Sequence, residues 1–305
     1  MAVSRIKQFL RQVRKKEFTW RYVYNFGPTI KHRLSGRRLQ GELSRIVHEL
    51  DQKGIALTSV PDIFGSTALF DEMSRAVDAI ENERSVELQT LRSEATNPDS
   101  IGRKTFMAEL LGDYPVLNPD DIFGRIALHP NVIHIANAYF GMFTRLRHYN
   151  VWHTFCSPSQ PRASQLWHHD REDVFILKMF IYLNDVREGG GPFTYAPGTH
   201  QKGPVKGKEP EYFIEGEVRR TTDEQMSVVV PQHLWVKATG RRGTIVFADT
   251  RGYHKGGECR TADRLMYTCM FTSKSSESRE WLRQPAHIAS NSDPEIAFAL
   301  SGPRR

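Results

Sequence analysis

The sequence predicts a mainly β protein with flanking helices, in which the strands follow a largely helical first half. Residues 145–155 alternate two sets of side chains at the period of a β-strand, and residues 175–183 form an apolar run of strand length. Glycine- and proline-rich segments at 189–192 and 196–200 then separate successive strands, as turns do in a β-sandwich or barrel. With 305 residues, 39% hydrophobic and 25% charged, the chain can bury a substantial core.

Residues 1–40 form a basic, aromatic-rich N-terminal arm. They contain eleven Lys or Arg and one acid, whereas the net charge of the whole chain is +7. Such an arm could bind nucleic acid, an anionic membrane surface or a phosphate-bearing substrate. The helical spacing of Ile6, Phe9, Leu10 and Val13 favours a plainer role, a short amphipathic helix that packs on the body of the protein. We therefore expect no nucleic-acid partner, and contact with a membrane surface stays open.

Residues 41–140 are predicted to be a mostly helical lead-in packed on the core. Helical periodicity, strand-like runs and glycine or proline breaks predict its elements in this order: a helix over 39–50 that stops at Gly54, a strand at 55–60, a helix over 69–80, and a helix over 120–139 that His129-Pro130 interrupts. These elements are interpreted as scaffold.

A metal site is predicted from His168, Asp170 and His254. Residues two apart in an extended segment project to the same side, so His168 and Asp170 can reach one ion while His169 points elsewhere. Two neutral imidazoles and one carboxylate make the facial triad that holds Fe(II) and leaves the opposite positions open. One His-x-Asp among twelve His is expected by chance, so the prediction depends on its agreement with the neighbouring features.

Arg264 is the most informative of those features. It follows His254 by ten residues, which is far enough to lie on the next antiparallel strand. A guanidinium there could grip a carboxylate with two hydrogen bonds. A metal with open coordination positions and a nearby buried Arg fits a 2-oxo acid as cosubstrate. The 2-oxo acid would chelate iron with two oxygens, and its distal carboxylate would bind Arg264.

Three stretches together form a more specific pattern: QLWHHD at 165–170, FIYLND at 180–185 running into GGGPFTYAPGTH at 189–200, and GTIVFAD at 243–249 leading to His254 and Arg264. Over roughly residues 105–275 the chain resembles the phytanoyl-CoA dioxygenase-like family of Fe(II)- and 2-oxoglutarate-dependent oxygenases. The resemblance implies a double-stranded β-helix, a jelly-roll, cupin-like core. It implies Fe(II), 2-oxoglutarate and O2 as the reactive partners, with ascorbate stimulatory.

The same resemblance implies the roles of the site residues: His168, Asp170 and His254 bind iron, and Arg264 holds the cosubstrate. No catalytic residue is expected beyond the metal site. Related halogenases have Ala or Gly in place of the carboxylate, so Asp170 favours hydroxylation or a related oxidation. His200 follows a Pro-Gly-Thr turn and is interpreted as structural.

Further contacts are predicted from strand position. A buried Lys178 needs a partner, either a cosubstrate carboxylate or an acidic side chain, and the alternative is a position at a strand edge open to solvent. Asn150 is a second candidate for contact with the cosubstrate. The candidate substrate contacts are aromatic: Trp152, Tyr182, Phe213 and Trp235.

Strands are predicted to dominate after Thr144, so the catalytic core is placed at 141–285, which leaves 286–305 as a C-terminal tail. Within the core, 201–240 interposes a charged segment, with a strand resuming over 226–230. We interpret this segment as a lid over the metal, and an excursion without function is the alternative. Its basic pair Arg219-Arg220 is a candidate for a specificity screen.

The chain is expected to act in the cytoplasm. Its three cysteines are too few for a disulfide framework, and no stretch approaches eighteen uninterrupted apolar residues. The expected substrate is a small or carrier-linked molecule, and the basic arm favours an anionic one. Two other functions stay open: a cupin-type metal enzyme that does not use 2-oxoglutarate, and a non-catalytic protein that binds through its N-terminal arm.

Overall fold

The computed structural model describes residues 13, 16–96, 106–215, 218–278, 280–285 and 292–302. Eleven strands lie in these ranges: β1 Ile55–Ser59, β2 Met107–Glu109, β3 Arg145–Thr154, β4 Leu177–Tyr182, β5 Phe193–Tyr195, β6 Phe213–Glu215, β7 Val218–Arg220, β8 Val236–Ala238, β9 Thr244–Asp249, β10 His254–Lys255 and β11 Arg264–Thr272. The α-helices are Glu17–Thr19, Phe26–Ser35, Gly41–Lys53, Val60–Phe64, Ala68–Glu83, Ser85–Thr96, Ile122–Ala127, Pro130–Phe140, Asp223–Ser227 and Pro294–Ala299.

Six strands form the main sheet, in the antiparallel order β1-β9-β4-β11-β3-β2. Its outer strand β1 comes from the helical lead-in and pairs along its whole length with β9. The lead-in is therefore part of the jelly roll as well as a cover for it.

The second sheet contains β10-β5-β8 and faces the main sheet. Two isolated antiparallel bridges extend it: His168 pairs with His254, and Trp167 pairs with Thr221 just after β7. Through these bridges the β6-β7 hairpin becomes the far edge of the sheet that carries both histidines.

The strict alternation of strand side chains divides the interior into two cores. On β4, Phe180 and Tyr182 point between the two sheets, whereas Met179 and Ile181 point to the opposite face and pack with the helices. The main sheet is thus covered by helices on one side and by the second sheet on the other. Two antiparallel sheets enclosing a core, with flanking helices, confirm the predicted jelly-roll class.

The predicted lead-in helices are confirmed, with small differences at their ends. The Gly41–Lys53 helix stops at Gly54, which adopts φ 81° and donates its N–H to Leu50. The helical region predicted over 120–139 is split at His129-Pro130 into Ile122–Ala127 and Pro130–Phe140. Residues 55–59 form the predicted strand, and Val60 already begins a short helix.

The described part of the N-terminal arm packs on the core through Trp20. This side chain is buried beside Phe175 and donates its indole N–H to Asp173 at 2.6 Å. The predicted amphipathic helix falls mainly on residues outside the described ranges. Phe18, Val23 and Leu34 are exposed, and contact of the arm with a membrane surface stays a prediction.

Residues 201–240 differ from the sequence-based expectation. The strand predicted over 226–230 is wrong, because Asp223–Ser227 is a helix. Thr222 and Gln225 form its capping box: the Thr222 hydroxyl accepts the N–H of Gln225, whose side chain accepts the N–H of Thr222. The Thr-x-x-Gln signal was present in the sequence and outweighs the β-branched run Val228–Val230.

The C-terminal tail contributes the Pro294–Ala299 helix. Its Glu295 is buried, accepts a hydrogen bond from Asn137 at 2.7 Å and pairs with Arg37 at 2.8 Å. The boundaries drawn between arm, lead-in, core and tail stay a prediction. Among the described residues, no helix is long and apolar enough to span a membrane.

Candidate metal centre

Three side chains that the sequence singled out converge at one end of the space between the sheets. His168, Asp170 and His254 each offer a ligand atom within 4.8 Å of the others, and they are the only such His/Cys/Asp/Glu group among the described residues. The His168–His254 bridge brings the two imidazoles side by side, with ring centroids 4.3 Å apart and ring planes tilted by 51°. A pairing between segments 86 positions apart therefore creates the site.

Backbone carbonyl groups orient both imidazoles. His168 Nδ1 lies 2.8 Å from Leu166 O, and His254 Nδ1 lies 3.0 Å from Gly252 O. Each carbonyl accepts a hydrogen bond from Nδ1, so the lone pair of Nε2 is left for a metal. Two Nε2 atoms and a carboxylate fit Fe(II) in its facial coordination.

Burial favours the neutral imidazoles that a metal requires. Burial lowers the pKa of His168 well below its usual value, and the charges of neighbouring His254 and Arg220 lower it further. Burial likewise lowers the pKa of His254 to about 4. Both imidazoles are therefore unprotonated near neutral pH, as a metal ligand must be.

Asp170 must be charged to bind a metal, whereas the two imidazoles must be neutral, and its carboxyl stays ionised. Burial alone would raise the pKa of its carboxyl, but the Lys178 ammonium and the two nearby imidazoles outweigh burial and lower the pKa. Lys178 Nζ lies 2.7 Å from Asp170 Oδ2. Of the two partners that the sequence allowed for Lys178, the structure places the acidic side chain beside it.

Arg264 begins β11 on the facing wall. It lies on the next strand after His254, as predicted from its spacing, but in the main sheet instead of beside β10. Nη1 donates to the carbonyl oxygens of Gly191 and Gly256, and Nη2 lies 3.4 Å from Thr154 Oγ1. The guanidinium is thus fixed in place while Nε has no hydrogen-bond partner in the described structure.

One cleft of about 680 Å³, partly open to solvent, contains all of these groups. Its apolar walls include Phe106, Trp152, Phe180, Phe193 and Met266. Charged and coordinating groups therefore lie at the base of a mainly apolar cleft, which is the usual composition of a small-molecule site.

A second cavity of about 640 Å³ adjoins the first. Trp152, Asp170 and Lys178 line both, so these three residues form the junction between them. Glu109, Glu172 and Trp281 are further lining residues of the second cavity alone. Space beside the metal ligands thus extends beyond the cleft that contains Arg264.

The remaining predicted contacts are distributed unevenly. Trp152 lines both cavities, whereas the buried Asn150 amide binds the backbone around Gly112 and is not among the residues lining them. Tyr182 donates its hydroxyl to Ala238 O at 2.7 Å, inside the core between the sheets. Trp235 packs against Trp167 at 4.7 Å on the outer face of the second sheet.

Phe213 lies on the β6-β7 hairpin and is 41% exposed, outside the lining of either cavity. Most of the segment interpreted as a lid covers the outer face of the second sheet, where Met226, Val230 and Trp235 pack around Trp167. Two parts of this segment belong to the row of strands that carries the candidate metal ligands: β8 at one edge and the β6-β7 hairpin at the other.

The sequence marked the basic pair Arg219-Arg220 for a specificity screen, but it did not place Arg220 beside the candidate metal ligands. Its position is fixed by the bridge between Trp167 and Thr221, a pairing of segments 54 residues apart that no local pattern predicts. The signal in the sequence was this basic pair within a charged segment, and it did not distinguish the buried Arg220 from the more exposed Arg219.

Comparison with known proteins agrees with this geometry. The model of the phytanoyl-CoA dioxygenase (PhyH) family matches residues 60–266, well over half of the chain. The chain belongs to this family. It is a 2-oxoglutarate-dependent oxygenase of the PhyH type, with Fe(II) as its metal. Among curated proteins, none matches it in sequence.

Solved structures share the fold at low sequence identity. EctD from S. alaskensis with bound Fe has a TM-score of 0.52 and 13% identity, over 82% of this chain and 90% of that one. The structure of the same protein with 2-oxoglutarate and 5-hydroxyectoine has a TM-score of 0.51 and 14% identity, over 87% of this chain and 90% of that one. The structure of the epimerase SnoN in complex with Fe3+, alpha ketoglutarate and nogalamycin RO has a TM-score of 0.47 and 20% identity, over 77% of this chain and 84% of that one. The similarity to EctD supports the jelly-roll fold.

Proposed function

We propose that this PhyH-family oxygenase hydroxylates an unactivated C–H bond of a small-molecule or carrier-linked substrate and releases succinate and CO2. His168, Asp170 and His254 bind Fe(II) in this proposal, and Arg264 binds the distal carboxylate of 2-oxoglutarate. The single observation that carries it is the presence of the three ligand side chains and Arg264 in the lining of one cleft.

Each group has a separate task. The neutral imidazoles and the ionised Asp170 supply two nitrogens and one oxygen to iron, while Lys178 holds the Asp170 carboxylate through their ion pair. The fixed guanidinium of Arg264 positions the cosubstrate through its carboxylate. When bound, iron and 2-oxoglutarate supply the activation of dioxygen. The apolar walls formed by Phe180, Phe193 and Met266 limit the access of water to the site.

Hydroxylation is favoured over halogenation because Asp170 occupies the position that a halide would need on the metal. We also propose that the protein works in a reducing compartment such as the cytoplasm. Its three cysteines, Cys156, Cys259 and Cys269, are all free. Reducing conditions also keep iron as Fe(II).

The first test measures 2-oxoglutarate binding and succinate formation by the protein with Fe(II) and ascorbate. Arg264→Ala should raise the KM for 2-oxoglutarate about 10- to 100-fold, because a charge-assisted pair of hydrogen bonds is worth about 1.5–3 kcal/mol. Arg260→Ala is the matched control, since Arg260 lies four residues before Arg264, in the segment that leads into β11, and outside the cleft lining. If the iron-loaded wild-type protein binds no 2-oxoglutarate, the proposed function is wrong.

The second test uses two adjacent histidines. His168→Ala should lose iron, whereas His169→Ala should keep it, because the His169 ring packs on Tyr253 at 5.1 Å and is not part of the ligand group. Bound iron per protein is measured after dialysis against Fe(II). Equal iron contents in the two variants would contradict the assignment of ligands.

A further inference from the structure

Arg220, the last residue of β7, is a second buried arginine near the metal ligands. Only 7% of it is exposed. Its Nε donates to Glu215 Oε2 at 3.1 Å, whereas Nη1 is buried and has no hydrogen-bond partner in the described structure. A buried guanidinium donor without an acceptor is unfavourable. This donor is therefore available to a ligand that the chain itself does not provide.

Strand register places the Arg220 side chain on the face of the metal ligands. Thr221 pairs with Trp167 in an antiparallel bridge, so the next pair along the ladder is Arg220 and His168. His168 pairs in turn with His254. Side chains directly opposite each other share one face of a sheet. Arg220, His168 and His254 therefore form one row across the second sheet.

The hairpin that carries Arg220 is attached to the cleft. Glu215, which binds Arg220 through one carboxylate oxygen, accepts the N–H of Ala163 at 3.1 Å through the other. Ser164 and Gln165, the next two residues, line the cleft. The position of Arg220 is thus linked to the wall of the site through a single carboxylate.

Arg220 and Arg264 approach the site from different sheets. Arg264 lies on β11 of the main sheet, and its Nη1 is occupied by two carbonyl oxygens. Arg220 lies on the extension of the second sheet and keeps a donor without a partner. Two buried arginines on opposite walls are suited to two different anions.

We propose that Arg220 binds an anionic group of the substrate, a carboxylate or a phosphate, and holds the substrate beside the metal. This inference rests on the proposed function and names the substrate class of the same site. The two cations among the residues that line the cleft are already engaged: Lys178 is paired with Asp170, and Arg264 is assigned to the cosubstrate. Arg220 is thus a determinant of specificity for acidic substrates.

The test measures binding of two simple anions by the holoprotein. Protein saturated anaerobically with Fe(II) and 2-oxoglutarate is titrated in a calorimeter with inorganic phosphate and, separately, with acetate. Arg220→Gln should weaken binding of the preferred anion about tenfold or more, because one charge-assisted hydrogen bond is lost. Preference for phosphate or for acetate distinguishes phosphorylated from carboxylated substrates.

Arg219→Gln is the matched control. Arg219 is the adjacent residue on the same strand, its side chain is 34% exposed, and it pairs with Glu209 at 2.8 Å. Its substitution should leave anion binding unchanged. Arg220→Lys keeps the charge, loses the forked geometry and should give an intermediate affinity, which provides a result even if Arg220→Gln fails to fold.

The affinity for 2-oxoglutarate, measured first in every variant, separates the two proposals. A wild-type protein that binds no 2-oxoglutarate would refute the proposed function. Unchanged 2-oxoglutarate affinity together with lost anion binding in Arg220→Gln supports the inference. It is overturned if the wild-type holoprotein binds neither anion, if Arg220→Gln binds them as wild type does, or if that variant loses 2-oxoglutarate affinity instead.

Discussion

At the scale of single residues, the partner of a buried charged side chain depends on which segments the fold brings together. Lys178 illustrates this, because its ammonium lies 2.7 Å from Asp170 and both side chains are less than one-fifth exposed. Sequence reasoning found that a lysine on an apolar strand needs a partner, but it could not choose between an acid and a cosubstrate. The choice depends on β4 and the 168–170 segment meeting across the sheets.

We expect Lys178→Met to destabilise the metal-free protein more than the iron-loaded protein. Without iron, Lys178 is the cation beside Asp170, and its removal leaves a carboxylate short of a partner at a cost of about 1–3 kcal/mol. Bound iron supplies positive charge and reduces this cost. Urea unfolding with and without metal gives both values.

Lys237→Met is the matched control for that experiment. Lys237 lies on β8 with its side chain 49% exposed, and it contacts Glu188 only at 3.7 Å. Lys237→Met should change the free energy of unfolding by no more than about 0.5 kcal/mol, both in the metal-free and in the iron-loaded protein. An equal loss for Lys178→Met with and without iron would contradict the role of Lys178 beside Asp170.

At the scale of elements, glycine positions show how local and tertiary constraints combine. Gly54 and Gly36 both follow helices with positive φ, at 81° and 61°. A Cβ on Gly36 would meet open space, whereas a Cβ on Gly54 would lie 2.3 Å from Tyr195 Oη and 2.7 Å from His200 Nδ1. The sequence predicted Gly54 as a helix stop. Its contact with the second sheet is visible only in the fold.

Gly54→Ala should therefore be much more destabilising than Gly36→Ala. Backbone strain costs about 1–2 kcal/mol at either site, and overpacking against Tyr195 adds about 1–3 kcal/mol at Gly54 alone. Urea unfolding of the two variants measures the difference. Similar losses of stability in the two variants would contradict this prediction, and would mean that Tyr195 on β5 moves to accommodate the added methyl group.

At the scale of the whole molecule, one ionic cluster joins the helical lead-in to the strands that carry the site. His153 on β3 contacts Glu81 at 2.5 Å through Nδ1 and Asp263 at 2.7 Å through Nε2. Asp263 also pairs with Arg92 and immediately precedes Arg264. The cluster thus connects two lead-in helices to the start of β11, where the proposed cosubstrate anchor lies.

The charge of His153 makes this connection dependent on pH. Burial lowers its pKa, but the hydrogen bonds that His153 donates to Asp263 and Glu81, together with the charges of these carboxylates, outweigh burial and raise the pKa from 6.5 to about 9. A raised folded-state pKa contributes stability that is fully present below about pH 6.5 and is lost as pH rises through about 9. Urea unfolding should show a loss of up to about 3 kcal/mol across that window.

His153→Gln removes the titrating group and isolates its effect. The variant should be less stable than wild type below about pH 6.5, and the difference should shrink as pH rises through about 9. A constant difference across this range would assign the contribution of His153 to packing rather than to charge.

The sequence by itself determined the fold class, the spacing of the metal ligands and the main helix and strand positions. Each of these depends on periodicity, on a glycine or proline break, or on side chains two apart in one extended segment. The choice of His168 over His169 follows from the same alternation.

Only the tertiary structure decided the rest. Asn150 and Tyr182 lie on strands that could face the site, yet their polar groups bind backbone atoms of neighbouring segments. Arg220 joins the metal-ligand row through a bridge across 54 residues. Such choices depend on which distant segments pair, and local sequence patterns do not contain that information because pairing is set by the packing of the whole core.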